Sequence, residues 1–166
     1  ISKMVFYLII LILITIDQIS KYFIKTGMDF NQSIPLVDGI FHITYVRNFG
    51  AAFSILQGKQ HFLIAVTFIA LTGILLYLII KRKNNHWTLS LSLSLIAGGG
   101  FGNLLDRIRL GYVVDFFDFR VFPVFNVADI CVCCGCGLLV LYLFYIEPKI
   151  VRKREELTDD EDSFHN

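Results

Sequence analysis

The chain has 166 residues, a net charge of +1 and a mean hydropathy of +0.65. Charged residues make up 17% and apolar residues 55%, whereas a soluble domain carries about 25% charge. The apolar residues lie in long runs, which excludes an ordinary soluble core; the near-neutral charge excludes a global basic field for nucleic acid.

Four runs approach the roughly 20 residues that cross about 30 Å of hydrocarbon. The first covers residues 4–23 (MVFYLIILILITIDQISKYF). It is too long for the apolar part of a signal peptide, and no small-residue cleavage site follows, so it reads as a retained helix. An outer segment, 27–58, comes next. Its alternating stretch FHITYVR (41–47) predicts a strand. The second run is 61–80. The third, 87–105, carries Gly98, Gly99, Gly100 and Gly102; the GxxxG spacing of Gly98 and Gly102 signals close helix contact, not a phosphate loop. A second outer segment, 107–126, is rich in Val and Phe over 111–125 and reads as strand or hairpin. The two outer pieces are expected to pair into a small sheet. The fourth run is 127–146. The membrane unit thus covers 1–147. A charged tail, 148–166, ends in an acidic stretch expected to be disordered.

Basic residues set the expected orientation. Lys3, Lys81, Arg82, Lys83, Lys149, Arg152, Lys153 and Arg154 collect on one side, eight of the fifteen Lys and Arg. That compact side is expected to be cytoplasmic, with both termini on it.

Ionisable groups inside a membrane are expensive and mark function by default. At about 1.5 Å per helical residue, Asp17 lies roughly 21 Å, Asn103 roughly 24 Å and Asp129 roughly 26 Å from the cytoplasmic edge. The polar groups therefore share one outer layer. Asp115 sits in the apolar strand segment VVDFF, and Asp129 opens the fourth helix in FNVAD. Burial disfavours ionisation of a carboxyl group, and two adjacent acids ionise one at a time. Such a pair splits an amide without a metal: the carboxylate takes a proton from water while the acid donates to the carbonyl oxygen. Asp129 also fits a simple helix cap. Asp17 and Lys21, four apart, fit an intrahelical ion pair. Arg107 either reaches headgroups or donates to a substrate carbonyl. Asn48, before Gly50, fits a peptide-holding amide or an ordinary turn. Asp118 is a rival acid to Asp115. Cys131, Cys133, Cys134 and Cys136 are expected to pack as small buried thiols, since the helix offers no His for a metal site. His42 and His61 lie outside any nucleophile setting.

With these motifs in order, the chain resembles the bacterial lipoprotein signal peptidase (signal peptidase II) family. The matching segments are DQISK (17–21), RNFGAAF (47–53), GGGFGNLLDR (98–107), VVDF (113–116) and FNVAD (125–129). The resemblance covers about 4–147. It implies an aspartic endopeptidase of the bacterial cytoplasmic membrane, without cofactor or metal. Such an enzyme removes signal peptides from prolipoproteins by cutting before a diacylglyceryl-modified cysteine. It also implies an outer-face site, a small outer sheet and sensitivity to the peptide inhibitor globomycin. The family's catalytic pair maps onto Asp115 and Asp129. Its substrate-contacting positions map onto Asn48, Gly50, Asn103, Arg107 and Asn126, and supporting ones onto Asp17, Lys21 and Asp106. Segment 27–58 is expected to close over substrate as a lid, beside a lateral opening for the signal-peptide helix. The cysteine cluster departs from the family, where small or hydroxyl residues are usual. Two rival readings remain. A transporter or channel needs polar groups through the inner half of the spans, where few residues beyond Ser90, Ser92 and Ser94 offer any. A non-catalytic assembly factor leaves the acid layer unexplained.

Overall fold

The elements follow the hydropathy pattern. In a computed structural model that describes residues 4–50, 59–81 and 85–164, helix α1 covers Met4–Gly27, strand β1 Ser33–Val37 and strand β2 Phe41–Asn48. Helices α2 (Gln60–Ile80) and α3 (Trp87–Leu110) precede strand β3 (Val113–Asp118). Helix α4 (Val127–Leu141) runs through a π-helical turn, Tyr142–Ile146, into α5 (Glu147–Phe164). Four helical stretches are long and apolar enough to cross a membrane: Met4–Gly27, Gln60–Ile80, Trp87–Leu110 and Val127–Lys153. They agree with the predicted spans; the first, third and fourth continue past their predicted ends, and the second stops at Ile80 as predicted. The charged tail departs from expectation: α5 stays helical through Phe164. Residues such as Glu, Lys and Arg are good helix formers, and pairs such as Arg152 and Glu156, 3.0 Å apart, support the exposed turn.

Helix α3 is the centre. Its apolar window is 61% buried, against 11% for α2 and 22% for α1. Small residues make this possible, because a membrane bundle gains contact by close backbone approach. A methyl at Gly98 would meet Leu13 Cβ at 2.9 Å; one at Gly102 would strike the Asp17 carboxylate. The GxxxG pair thus seats α1 on α3. The hydroxyls of Ser92 and Ser94 donate back to Leu89 O and Ser90 O of their own helix, so these serines are packing and offer no polar pathway. Ile10, Leu71, Leu78, Ala97 and Leu104 form the core shared by α1, α2 and α3. Large apolar side chains such as Leu8, Leu11, Phe68, Ile69 and Ile80 point outward, as lipid allows and water would not.

The three strands form one antiparallel sheet in the order β1-β2-β3. The β2–β3 pairing is the one expected; β1 was not foreseen. Its sequence, SIPLV, contains a proline, which suits an edge strand. Gly111, at φ +77°, ends α3 in the left-handed conformation, and its N–H returns to Arg107 O. The chain can then reverse directly into β3. Residues 119–124 loop out, and Phe125 bonds back to Phe117 on β3. That return delivers Asn126, the first residue of the α4 cap, to the side of Asp115.

Candidate active site

Asp115 is placed by β3, whose burial is nearly continuous, and pairs in register with Val46 of β2. It is 2% exposed. Asn48 Nδ2 donates to its Oδ2 at 3.0 Å and Asn126 Nδ2 to its Oδ1 at 2.7 Å. Asp129 is placed by the first turn of α4. Asn126 accepts from the Asp129 N–H at 2.9 Å, and Asp129 Oδ2 accepts from the Asn126 N–H at 3.2 Å. This is a capping box, so the helix-cap reading of Asp129 holds. It does not use up the carboxylate. The other oxygen, Oδ1, takes the Asn103 amide at 2.8 Å and the group stays half-buried at a cavity wall.

Asn126 therefore joins the two acids. It is fully buried and donates to Asp115 through its side chain and to Asp129 through its backbone. Its amide also reaches Asn103 Oδ1 at 3.1 Å. Both acids open on one cavity of about 680 Å³, together with Asn48, Gly50, Asn103 and Arg107. Burial pushes the Asp115 carboxyl up to about 7; the charge of Asp129 adds to the rise, while the bonds from Asn48 and Asn126 oppose it. The rival acid behaves oppositely. Asp118 is buried too, but bonds from the Thr44 hydroxyl (2.7 Å) and from Arg120 outweigh desolvation and hold it below the ordinary carboxylate value. It pins β3 to β2 and lies away from the cavity wall.

The three supporting residues lie behind the acids as one network. Lys21 Nζ reaches Asp17 Oδ2 at 2.9 Å, Asp106 Oδ2 at 3.0 Å and Asn103 Oδ1 at 2.8 Å. The predicted ion pair is therefore present, and it extends to α3. Asp17 Oδ1 accepts from the Ala128 N–H at 2.9 Å, in the first turn of α4. Asp106 accepts from the Val114 N–H at 3.1 Å, next to Asp115. Arg107 faces the cavity, and its buried Nε has no partner among the described residues. Arg47 sits over the rings of Phe30 (4.7 Å) and Tyr112 (5.1 Å) and bonds to Tyr45 Oη, which fixes the end of β2 next to Asn48.

Asn48, read as a peptide-holding amide or a turn, makes the turn bond, its Oδ1 accepting from Gly50 N–H at 3.0 Å, while its Nδ2 donates to Asp115. One expectation changes. Among the cysteines, only Cys131 is buried; Cys133, Cys134 and Cys136 are exposed, the first two of them on the cavity wall. Of the proposed lid, 51–58 lies outside the described residues. Gln18 was not foreseen. Its amide bonds to Asp106 Oδ1 at 2.9 Å and Gly102 O at 3.1 Å, and only its place beside Asp17 could have signalled it. The apolar cavity wall of Phe122, Val124, Phe125 and Ile130 had no sequence signal.

The family model described as Signal peptidase (SPase) II matches residues 9–145. A protein of Halothermothrix orenii named lipoprotein signal peptidase is 46% identical over 141 residues, covering 85% of this chain and 96% of that protein. One of the same name from Clostridioides difficile is 42% identical, over 88% of this chain and 99% of that protein. Two solved structures of a bacterial membrane enzyme are also similar. One has a TM-score of 0.77 at 34% identity, covering 84% of this chain and 87% of that one. The other has a TM-score of 0.76 at 33% identity, covering 86% and 94%.

Proposed function

The chain belongs to the signal peptidase II family, and from that premise we propose that Asp115 and Asp129 are its catalytic pair. It is an aspartic endopeptidase with membrane-spanning helices that removes the signal peptide from prolipoproteins, cutting before the diacylglyceryl-modified cysteine. The observation that carries the assignment is Asn126, buried between the two acids and bonded to both.

Asp115, the acid whose protonation persists to about 7, holds the shared proton. Asp129 is the carboxylate. A water between them attacks the scissile carbonyl carbon. Asp129 takes the water's proton as the C–O bond forms, and Asp115 gives its proton to the carbonyl oxygen. The resulting gem-diol collapses: Asp129 passes its proton to the leaving nitrogen, the C–N bond breaks, and a diol hydroxyl returns its proton to Asp115. Arg107 donates to the substrate backbone with its unpartnered Nε. Asn48 acts mainly by orienting Asp115, and Asn103 orients Asp129; Gly50 lets the substrate backbone approach. Asp17, Lys21 and Asp106 position this set.

The site belongs at the outer face of the cytoplasmic membrane, with both termini inside. Lys81, Lys149, Arg152 and Lys153 gather at the ends of the helices away from the acids, in accord with the positive-inside rule. A diacylglyceryl anchor stays in lipid while its peptide bond rises to that layer, where water arrives without crossing the bilayer. The deciding assay uses the purified protein and a lipid-modified precursor, with mass spectrometry of the product. The new N-terminus should be the lipidated cysteine, and globomycin should block its release. Cleavage elsewhere, or equal cleavage of unlipidated precursor, refutes the assignment.

The same role assignment fixes a pH profile. Working turnover needs Asp115 protonated, so kcat/KM should fall as pH rises through about 7. Stability follows the same sign. The folded value of Asp115 lies above the roughly 3.9 of an unfolded chain, so its contribution is full below about 4 and is lost as pH rises through about 7. Asp115→Asn should remove that part of the loss. Unfolding temperatures at pH 5 and pH 8 test it: the variant should drop less than the parent.

A further inference from the structure

Helix α4 carries two thiols one turn beyond Asp129. Cys133 and Cys134 lie roughly 6 Å and 7.5 Å further along its axis. Both are exposed, and both line the cavity that holds Asp115 and Asp129. Cys133 also lines a second cavity of about 360 Å³, walled by residues of α2, α3 and α4, which shares Asn103, Arg107 and Asp129 with the first. Its sulfur therefore stands where the two spaces meet. The remaining cysteines differ: Cys131 is buried, and Cys136 is exposed but lines neither cavity.

We propose that Cys133 and Cys134 form a covalent modification site inside the catalytic cavity, one that takes small, uncharged, soft electrophiles able to partition into the membrane. An adduct there shuts the peptidase off by filling space the substrate needs. The second statement rests on the functional reading above; the first does not.

The chemistry selects these two sulfurs. A thiol reacts through its thiolate, which forms only where water and polar groups can solvate the charge. The cavity wall supplies Asn48, Asn103, Arg107 and two carboxyl groups, a polar lining that can admit water beside Cys133. Cys136 lines neither cavity and has no such polar wall beside it. With an α,β-unsaturated carbonyl such as a maleimide, sulfur bonds to the β-carbon and the thiol proton ends on the α-carbon. Nothing leaves, and no oxidant is needed. A disulfide within the pair is not an alternative, because successive side chains on a helix point about 100° apart.

The test treats the whole protein in detergent micelles with N-ethylmaleimide. Adducts are located by peptide mapping, and cleavage of a lipid-modified precursor is read against each protein's own untreated rate. Cys133 or Cys134 should be modified ahead of Cys131 and Cys136, with the rate falling by roughly 100-fold, the scale of a misaligned substrate. The C131A/C136A variant keeps the cavity thiols and should be inactivated as the parent is. C133S/C134S should keep its own untreated rate after treatment. Prior addition of precursor should slow labelling at Cys133. Modification at Cys136 first overturns the site. Full modification of Cys133 and Cys134 without loss of rate overturns the blocking role. Should C133S/C134S not fold, the parent and C131A/C136A still decide both points. If the untreated parent does not cut the precursor, the functional reading fails while the peptide map still settles the site.

Discussion

Replacing Asp129 with Asn is expected to lower cleavage of a lipid-modified precursor by roughly 10⁴-fold, the scale on which one member of a cooperating catalytic set acts. An amide cannot take a proton from water. The fold should survive, because Asn at 129 still offers one oxygen to the two donors that now reach it, the Asn103 amide and the Asn126 N–H. The bond that is lost costs about 1 kcal/mol. Asp115→Asn should be as damaging for the complementary reason: the amide has no carboxylic proton to give. Its neighbours Asn48 and Asn126 both donate, so one of them must turn away. The contrast is Asp118→Asn. It weakens the contacts with Thr44 and Arg120 that hold the sheet, yet it should retain cleavage. Rates measured beside thermal unfolding curves separate chemistry from folding. Cleavage within tenfold of the parent by either dyad variant removes that residue from the mechanism.

Lys21→Met should cost about 3–5 kcal/mol of stability, the range for breaking a buried ion pair by deleting one partner. Lys21 is 3% exposed and spends all three ammonium protons, on Asp17, Asp106 and Asn103. Without it two buried carboxylates face each other unpaired. The effect should also reach the chemistry. Lys21 occupies Asn103 Oδ1, which turns the amide nitrogen of Asn103 toward Asp129. With the ammonium gone, that orientation rests on Asn126 alone. The expected result is a lower unfolding temperature together with a kcat loss larger than any change in KM. Adding Asp17→Asn and Asp106→Asn to Lys21→Met should recover part of the stability, since the unpaired charges go with it. An unfolding temperature unchanged by Lys21→Met would show that the cluster is dispensable.

Much of this protein was legible as a string because lipid imposes simple demands. A span needs about 20 apolar residues, and charges inside one stand out as anomalies. The four spans and the shared layer of Asp17, Asn103 and Asp129 follow from that, while the alternation over 41–47 marked the strand β2. The ion pair between Asp17 and Lys21 was readable too, being local to one helix turn. Asp115 against Asp118 was not decided by composition: both are acids in one apolar strand.

What the sequence by itself determined is the membrane class, the number of spans and the pool of residues from which the site is drawn, since these depend on local hydropathy and helical spacing. Only the tertiary structure decided that Asn126 bonds to both Asp115 and Asp129, that Lys21 reaches Asn103, and that three of the four cysteines are exposed. Those outcomes depend on how α1, α3, α4 and β3 pack against one another. Contacts such as Lys21 with Asn103, or Ala128 with Asp17, join residues far apart in the chain, and no local period records them.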